Sequence, residues 1–107
     1  GGAGMERVRE AAAEHTVVMF SKTYCGYCSR AKKLLSANAI EYHVVELDVD
    51  QDGPAMQDAL VKLTGQRTVP NTFIGGKSVG GSDDLHRIHS EGKLSQMVSE
   101  AAVKASL

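Results

Sequence analysis

Apolar residues along this chain follow two rhythms, short continuous runs and positions three or four apart, and the two rhythms alternate from end to end. Thr16-Val17-Val18-Met19-Phe20 has the length and β-branched content of a buried strand, and Tyr42 to Leu47 gives a second strand signal. Between them, Ala31, Leu34 and Leu35 form an apolar stripe at helical spacing, closed by Asn38, which predicts a helix over roughly 26–37. Strand, helix and strand within about thirty residues make a βαβ unit, whose strands should be parallel and whose crossover should be right-handed. Upstream, Met5 to Ala13 is rich in helix formers and apolar at 5, 8, 11 and 12, an amphipathic first helix.

Downstream, Pro54 is placed to start a helix that runs through Met56, Ala59, Leu60 and Leu63 and stops at Gly65. Thr72-Phe73-Ile74 and Lys77-Ser78-Val79 flank Gly75-Gly76, the signal of an antiparallel hairpin with a two-residue turn. Gly80-Gly81-Ser82-Asp83-Asp84-Leu85 reads as a turn, an N-cap and an acidic first turn, opening a helix through Ile88 that Gly92 interrupts. Leu94, Met97, Val98, Ala101 and Ala102 give a last helix its apolar face. The predicted order, α-β-α-β-α-β-β-α-α, is an α/β fold: a four-stranded mixed sheet with helices on both faces.

At 107 residues the chain has room for one core, so residues 5–107 are expected to be a single domain. Gly1-Gly2-Ala3-Gly4 has the look of an expression scar or a trimmed linker. Twelve basic and 13 acidic residues leave a net charge of −1, which argues against a nucleic-acid surface or a polybasic membrane face. No apolar run approaches the ~20 residues needed to cross a bilayer, and the start shows no signal-peptide pattern. The expected location is cytoplasmic, with an organelle the alternative if a targeting peptide was removed upstream.

Both cysteines lie two residues apart in Lys22-Thr23-Tyr24-Cys25-Gly26-Tyr27-Cys28, at the predicted strand-to-helix junction. Such a pair in a core-forming domain suggests redox chemistry and not a disulfide scaffold. A helix N-terminus directs unpaired N–H groups and the positive end of the helix dipole at what precedes it, which favours a thiolate at Cys25. Cys28, one turn further in, should be shielded. That asymmetry suits thiol–disulfide exchange: one sulfur attacks, and the second resolves the mixed disulfide. His86 and His89 with the two cysteines superficially suggest a zinc site, but the gap between the pairs is too long and the histidine spacing too short.

A CxxC at the start of a helix after such a strand resembles the thioredoxin fold, and within that fold the chain resembles the glutaredoxins. Cys25-Gly26-Tyr27-Cys28 resembles their dithiol motif, Thr68-Val69-Pro70 their TVP segment, and Gly80 to Leu85 their GG-x-D-D-L turn. Thioredoxins usually carry Trp before the motif, and this chain has no Trp. The resemblance implies reduction of glutathione mixed disulfides and protein disulfides, with glutathione as electron donor, Cys25 as nucleophile and Cys28 as resolving thiol. It further implies that Lys22 and Gln66 meet the glycine carboxylate of glutathione, with Arg67 a weaker candidate, and that Tyr27 walls the site. Thr68 and a cis Val69–Pro70 bond would lie beside Cys25, with the Val69 N–H and C=O pairing with the cysteinyl unit of glutathione like an added strand. The N–H groups of Ser82 and Asp83, with Gly81, would hold the γ-glutamyl carboxylate, and the Asp83 carboxylate its ammonium.

Some relatives have a cysteine where Ser82 stands, so one side-reaction thiol is absent. A competing reading is a carrier or redox sensor: a homodimer around a [2Fe-2S] cluster, ligated by Cys25 of each subunit and two glutathione thiols, with Gly26 leaving space beside the metal. The cluster-free enzyme would be a monomer, and its partners would be glutathionylated or disulfide-containing proteins. A thioredoxin-like reductase fed by a flavoprotein is a further rival that needs no glutathione groove.

Overall fold

The computed structural model describes residues 2–107. Its elements are α1 (Gly2–Glu14), β1 (Val17–Ser21), α2 (Gly26–Ala37), β2 (His43–Glu46), α3 (Gly53–Thr64), β3 (Asn71–Ile74), β4 (Lys77–Gly80), α4 (Ser82–Ser90) and α5 (Leu94–Ala105). The element order is the one predicted, and the sheet is four-stranded in the order β2-β1-β3-β4. β1 pairs parallel with β2 and antiparallel with β3, and β3 pairs antiparallel with β4.

β1 is apolar without interruption up to its last residue because it is covered on both sides and all five of its residues are buried. Side chains alternate across a strand, so Val18 and Phe20 enter one core, with Val8, Met56, Leu60 and Phe73, beneath α1 and α3. Val17 and Met19 enter the other, with Ala31, Leu35, Leu85, Ile88 and Leu94, beneath α2, α4 and α5. Phe20 and Phe73 meet edge to face, centroids 5.6 Å apart, and tie β1 to β3 in the first of these cores.

Several strand and helix boundaries differ from expectation by one residue, β2 for example spanning His43–Glu46 and not 42–47, and two differences have a visible physical cause. β1 runs to Ser21, one residue beyond the apolar run, because the Leu47 N–H donates to the Ser21 carbonyl at 2.8 Å and continues the ladder. More consequentially, α1 starts at Gly2 and not at Met5, so the expected scar or linker at 1–4 is, from residue 2 on, the first turn of a helix; Gly1 lies outside the described residues. Gly4 is buried, and a Cβ there would collide with the backbone carbonyl of Ala55 on α3. Glycine at this position allows the two helices to touch. The hairpin has the predicted turn: Gly75 and Gly76 both take positive φ, 60° and 83°, as a type I′ turn requires.

Register brings the three motifs together. Phe20, near the end of β1, pairs with Asn71 at the start of β3, and Thr72 pairs with Gly80 at the end of β4. The segments just beyond those ends, residues 22–28, 68–70 and 81–83, therefore emerge at one end of the sheet.

Candidate active site

Cys25 occupies the N-cap of α2, with φ −86° and ψ 116°. Its sulfur accepts the Cys28 N–H at 3.1 Å, one of the donors that a helix start leaves without an intrahelical partner. Both cysteines are free thiols. Cys25 is partly exposed and Cys28 is fully buried. Burial is the largest cause pushing the Cys28 thiol above its ordinary range; the contact with Cys25 adds to it, and hydrogen bonds to the Ser21 side chain and Lys22 backbone partly oppose it. The predicted asymmetry between an accessible and a shielded sulfur is thus present.

Across from Cys25, the Val69–Pro70 peptide bond is cis. The Val69 carbonyl lies 3.7 Å from the Cys25 sulfur, close enough to accept a weak S–H bond. Gln66 supports this loop: its side-chain N–H₂ donates to the carbonyls of Thr68 at 2.9 Å and Pro70 at 3.0 Å. Behind it, Asn71 is wholly buried but satisfied, donating to Thr64 Oγ1 at 3.1 Å and accepting from Ser78 Oγ at 2.7 Å. This polar network holds the loop against the sheet.

The third segment opens α4. Gly81 is its N-cap, and the Asp84 carboxylate reaches back to the Gly81 N–H at 2.9 Å. That is one half of a capping box; glycine has no side chain to supply the other. Ser82 and Asp83 are the first two residues of the helix, whose N–H groups have no acceptor within it. The buried Ser82 is held by His86, whose Nδ1 donates to its carbonyl at 2.8 Å.

Tyr27, Gln66, Thr68, Val69, Pro70, Gly81, Ser82 and Asp83 line one open groove of about 370 Å³. A larger groove of about 760 Å³ runs along β4 and α1; neither cysteine lines either groove, and the smaller one is set beside Cys25 by Val69, whose carbonyl lies 3.7 Å from the Cys25 sulfur. Two predicted residues stand apart. Lys22 does not line the smaller groove; its carbonyl accepts the Cys25 N–H at 3.1 Å. Arg67 pairs with Asp58 at 3.2 Å, away from the groove.

Sequence reasoning missed three supports. Asp84 was legible, since an acidic residue three past an N-cap is the capping-box spacing. The Ser21 hydroxyl beside Cys28 carried no local signal. Nor did Asp48, whose carboxylate accepts both the backbone N–H of Thr23, at 3.0 Å, and its hydroxyl.

The glutaredoxin family model matches residues 17–79. A glutaredoxin of Ricinus communis is 50% identical over 97 residues, spanning 91% of this chain and 95% of that protein. The mitochondrial glutaredoxin-2 of Homo sapiens is 46% identical over 104 residues, spanning 97% of this chain and 63% of that protein. Among solved structures, a buckwheat glutaredoxin–glutathione complex superposes with a TM-score of 0.91 at 47% identity, covering 92% of this chain and 90% of the other. Sequence likeness over nearly the whole length and a shared fold converge with the buried and partly exposed sulfurs at the head of α2, and the chain belongs to the glutaredoxin family within the thioredoxin fold.

Proposed function

We propose that this chain is a glutathione-dependent oxidoreductase that reduces protein–glutathione mixed disulfides and protein disulfides, with Cys25 as nucleophile. Membership of the family carries thiol–disulfide oxidoreductase activity in general. The observation that supports the finer reading is the pairing of a partly exposed Cys25 sulfur, solvated by the Cys28 N–H, with a groove lined by cis-Pro70 and the open N–H groups of α4.

In the scheme, the Cys25 thiolate attacks the glutathione sulfur of a protein–S–SG bond. The protein sulfur leaves and takes up a proton, and Cys25 becomes Cys25–S–SG. Attack by a second glutathione thiolate on the glutathione sulfur regenerates the Cys25 thiolate and releases glutathione disulfide. On the alternative branch the Cys28 thiolate attacks Cys25, expels glutathione and closes the internal disulfide. Ser82 and Asp83 hold the γ-glutamyl end, Val69 offers its backbone to the cysteinyl unit, and Tyr27 and Thr68 bound the groove. Lys22 and Gln66 are proposed for the glycine carboxylate; Gln66 would have to exchange its bonds to Thr68 and Pro70 for that contact. Turnover with glutathione against turnover with a thioredoxin reductase tests the reading. Efficient reduction by the flavoprotein and none by glutathione would overturn it.

A second reading, [2Fe-2S] binding, is favoured by the number of usable sulfurs. Such a cluster needs four thiolates, and each chain offers one accessible sulfur, Cys25, since Cys28 is fully buried. Two chains and two glutathiones complete the set. The space beside Gly26 is open, with nothing within 4 Å of where a Cβ would stand. When bound, the cluster would supply electron transfer or cluster delivery in place of disulfide exchange. Anaerobic reconstitution with glutathione, read by visible absorption and sizing, should give a coloured dimer that tolerates Cys28→Ser and not Cys25→Ser. A colourless monomer throughout would leave the enzyme alone. The mitochondrial name of the human relative makes an organelle the competing location to the cytoplasm.

A further inference from the structure

Residues 22–25, which lead into α2, form a tight turn closed by the Cys25 N–H donating to the Lys22 carbonyl at 3.1 Å. The turn is outside the core: Thr23 is exposed, and Tyr24 is 76% exposed and offers it no packing. Among the described residues, side-chain hydrogen bonds tie the turn to distant chain in two places. One is the weak contact of the Cys25 sulfur with the Val69 carbonyl. The other is Asp48, which takes both donors of Thr23, backbone N–H and hydroxyl, with its two carboxylate oxygens. Those bonds hold the Asp48 carboxyl below its ordinary range, so it is charged at neutral pH and the bonds are charge-assisted.

The bracket that carries Asp48 is itself fixed. The Leu47 N–H donates to the Ser21 carbonyl at 2.8 Å, and the Asp50 N–H to the Glu46 carbonyl at 3.0 Å. On the far side, Arg7 of α1 grips both oxygens of Asp50 and, at 2.9 Å, one oxygen of Asp52. Two carboxylates of this acidic loop therefore face α1 and anchor it, while the third faces the turn before the nucleophile.

We propose that Asp48 is a positioning residue for the attacking sulfur: through Thr23 it fixes the turn that sets Cys25 at the N-cap of α2. The inference rests on Cys25 being the nucleophile of the proposed reaction. Its physical basis is preorganisation. The Cys28 N–H can stabilise the Cys25 sulfur only while the residues leading into the helix stay in place, and misplacement by about 1 Å costs on the order of a hundredfold in rate.

Charge and position predict opposite signs, which makes the role measurable. A carboxylate near the turn opposes negative charge on the sulfur, so removing it through Coulomb's law alone speeds Cys25 or leaves it unchanged. Removing a positioning tie slows it. The experiment is the rate of alkylation of Cys25 by iodoacetamide at pH 7 in the full chain, read by mass. This reagent is small and neutral, so its rate is independent of the glutathione groove.

Asp48→Ala is expected to slow alkylation about tenfold, Thr23→Val at least threefold, and Thr23→Ser less than twofold, because serine keeps both donors. Thermal unfolding of each variant accompanies the rates, and the Thr23→Val and Thr23→Ser pair decides the matter if Asp48→Ala folds poorly. A rate for Asp48→Ala equal to or above wild type, or a Thr23→Ser rate as low as that of Thr23→Val, overturns the role. Turnover of Cys25→Ser separates the two layers. If that variant still reduces a glutathionylated substrate, the nucleophile assignment fails; if it is inactive while Asp48→Ala alkylates normally, only the positioning role fails.

Discussion

The Cys28 backbone donates to the Cys25 sulfur across 3.1 Å while the Cys28 side chain is sealed from solvent, so one residue stabilises its neighbour and withholds its own thiol. Selective chemistry should follow. At pH 7 a small alkylating reagent should modify Cys25 and leave Cys28 unmodified, because burial keeps Cys28 protonated above the ordinary thiol range. As pH rises past that range, Cys28 should begin to react. Its raised value also carries a stability sign: the folded state favours the neutral thiol, so this contribution is complete below the unfolded thiol value of ~8.5 and is lost as pH rises through the folded one. Peptide mapping after timed alkylation reads the selectivity, and equal labelling of both residues at pH 7 would contradict it.

Replacing each sulfur in turn should separate the two branches of the reaction. Cys25→Ser should abolish deglutathionylation, while Cys28→Ser should keep much of it, because glutathione can open Cys25–S–SG without an internal partner. Reduction of a plain protein disulfide should suffer more from the loss of Cys28. Equal losses in both variants with a glutathionylated substrate would make the dithiol route obligatory.

Asp83 lies in the groove at the first turn of α4, remote from the exchanging sulfurs in the proposed pose. The γ-glutamyl ammonium it would meet feels little change between ground and transition states, so Asp83→Ala should raise the KM for glutathione severalfold and change kcat less than twofold. Steady-state kinetics with glutathione varied would show the split. An unchanged KM would leave Asp83 as part of a helix cap and nothing more.

Much of this architecture was legible because its causes are local. The run at 16–20 has the length and β-branched content of a buried strand, Gly75-Gly76 between two strand signals marks a tight turn, and Pro54 and Gly65 bracket α3 at the positions their backbone chemistry favours. The CxxC at a strand-to-helix junction carried the position of Cys25 in the same way. The rest was hidden by distance along the chain. Asp48 grips a residue 25 positions away, and Arg7 grips Asp50 from 43 away. Neither pairing leaves a periodic trace, and an acidic loop looks like any solvated turn. Resemblance points Gln66 at the substrate, whereas its bonds to the carbonyls of Thr68 and Pro70 depend on how the cis-proline loop folds back and leave no mark in the sequence. Glycine at position 4 looked like a linker because the helix it touches starts about fifty residues later.

The grip of Arg7 on Asp50 and Asp52 should appear in the acid limb of stability. Hydrogen bonding to Arg7 is the largest cause holding the Asp50 carboxyl below its ordinary range, with the Asp52 N–H second. A depressed carboxylate contributes stability that is present above its unfolded value, ~3.9, and is lost as pH falls through the folded one. Arg7→Met keeps the aliphatic stem against the helix and removes the charge. The wild type should therefore lose stability more steeply than Arg7→Met as pH falls below about 4, and the two curves should converge in acid. The guanidinium side chain is 39% exposed, so solvent screening limits the gap at pH 7 to about 1 kcal/mol or less. For a domain of this size that is a lowering of the melting midpoint by about 5 °C. Denaturant unfolding of both proteins across pH 2–7 reads the gap directly. A constant gap at every pH would mean that ionisation of Asp50 and Asp52 has no part in what the Arg7 guanidinium contributes.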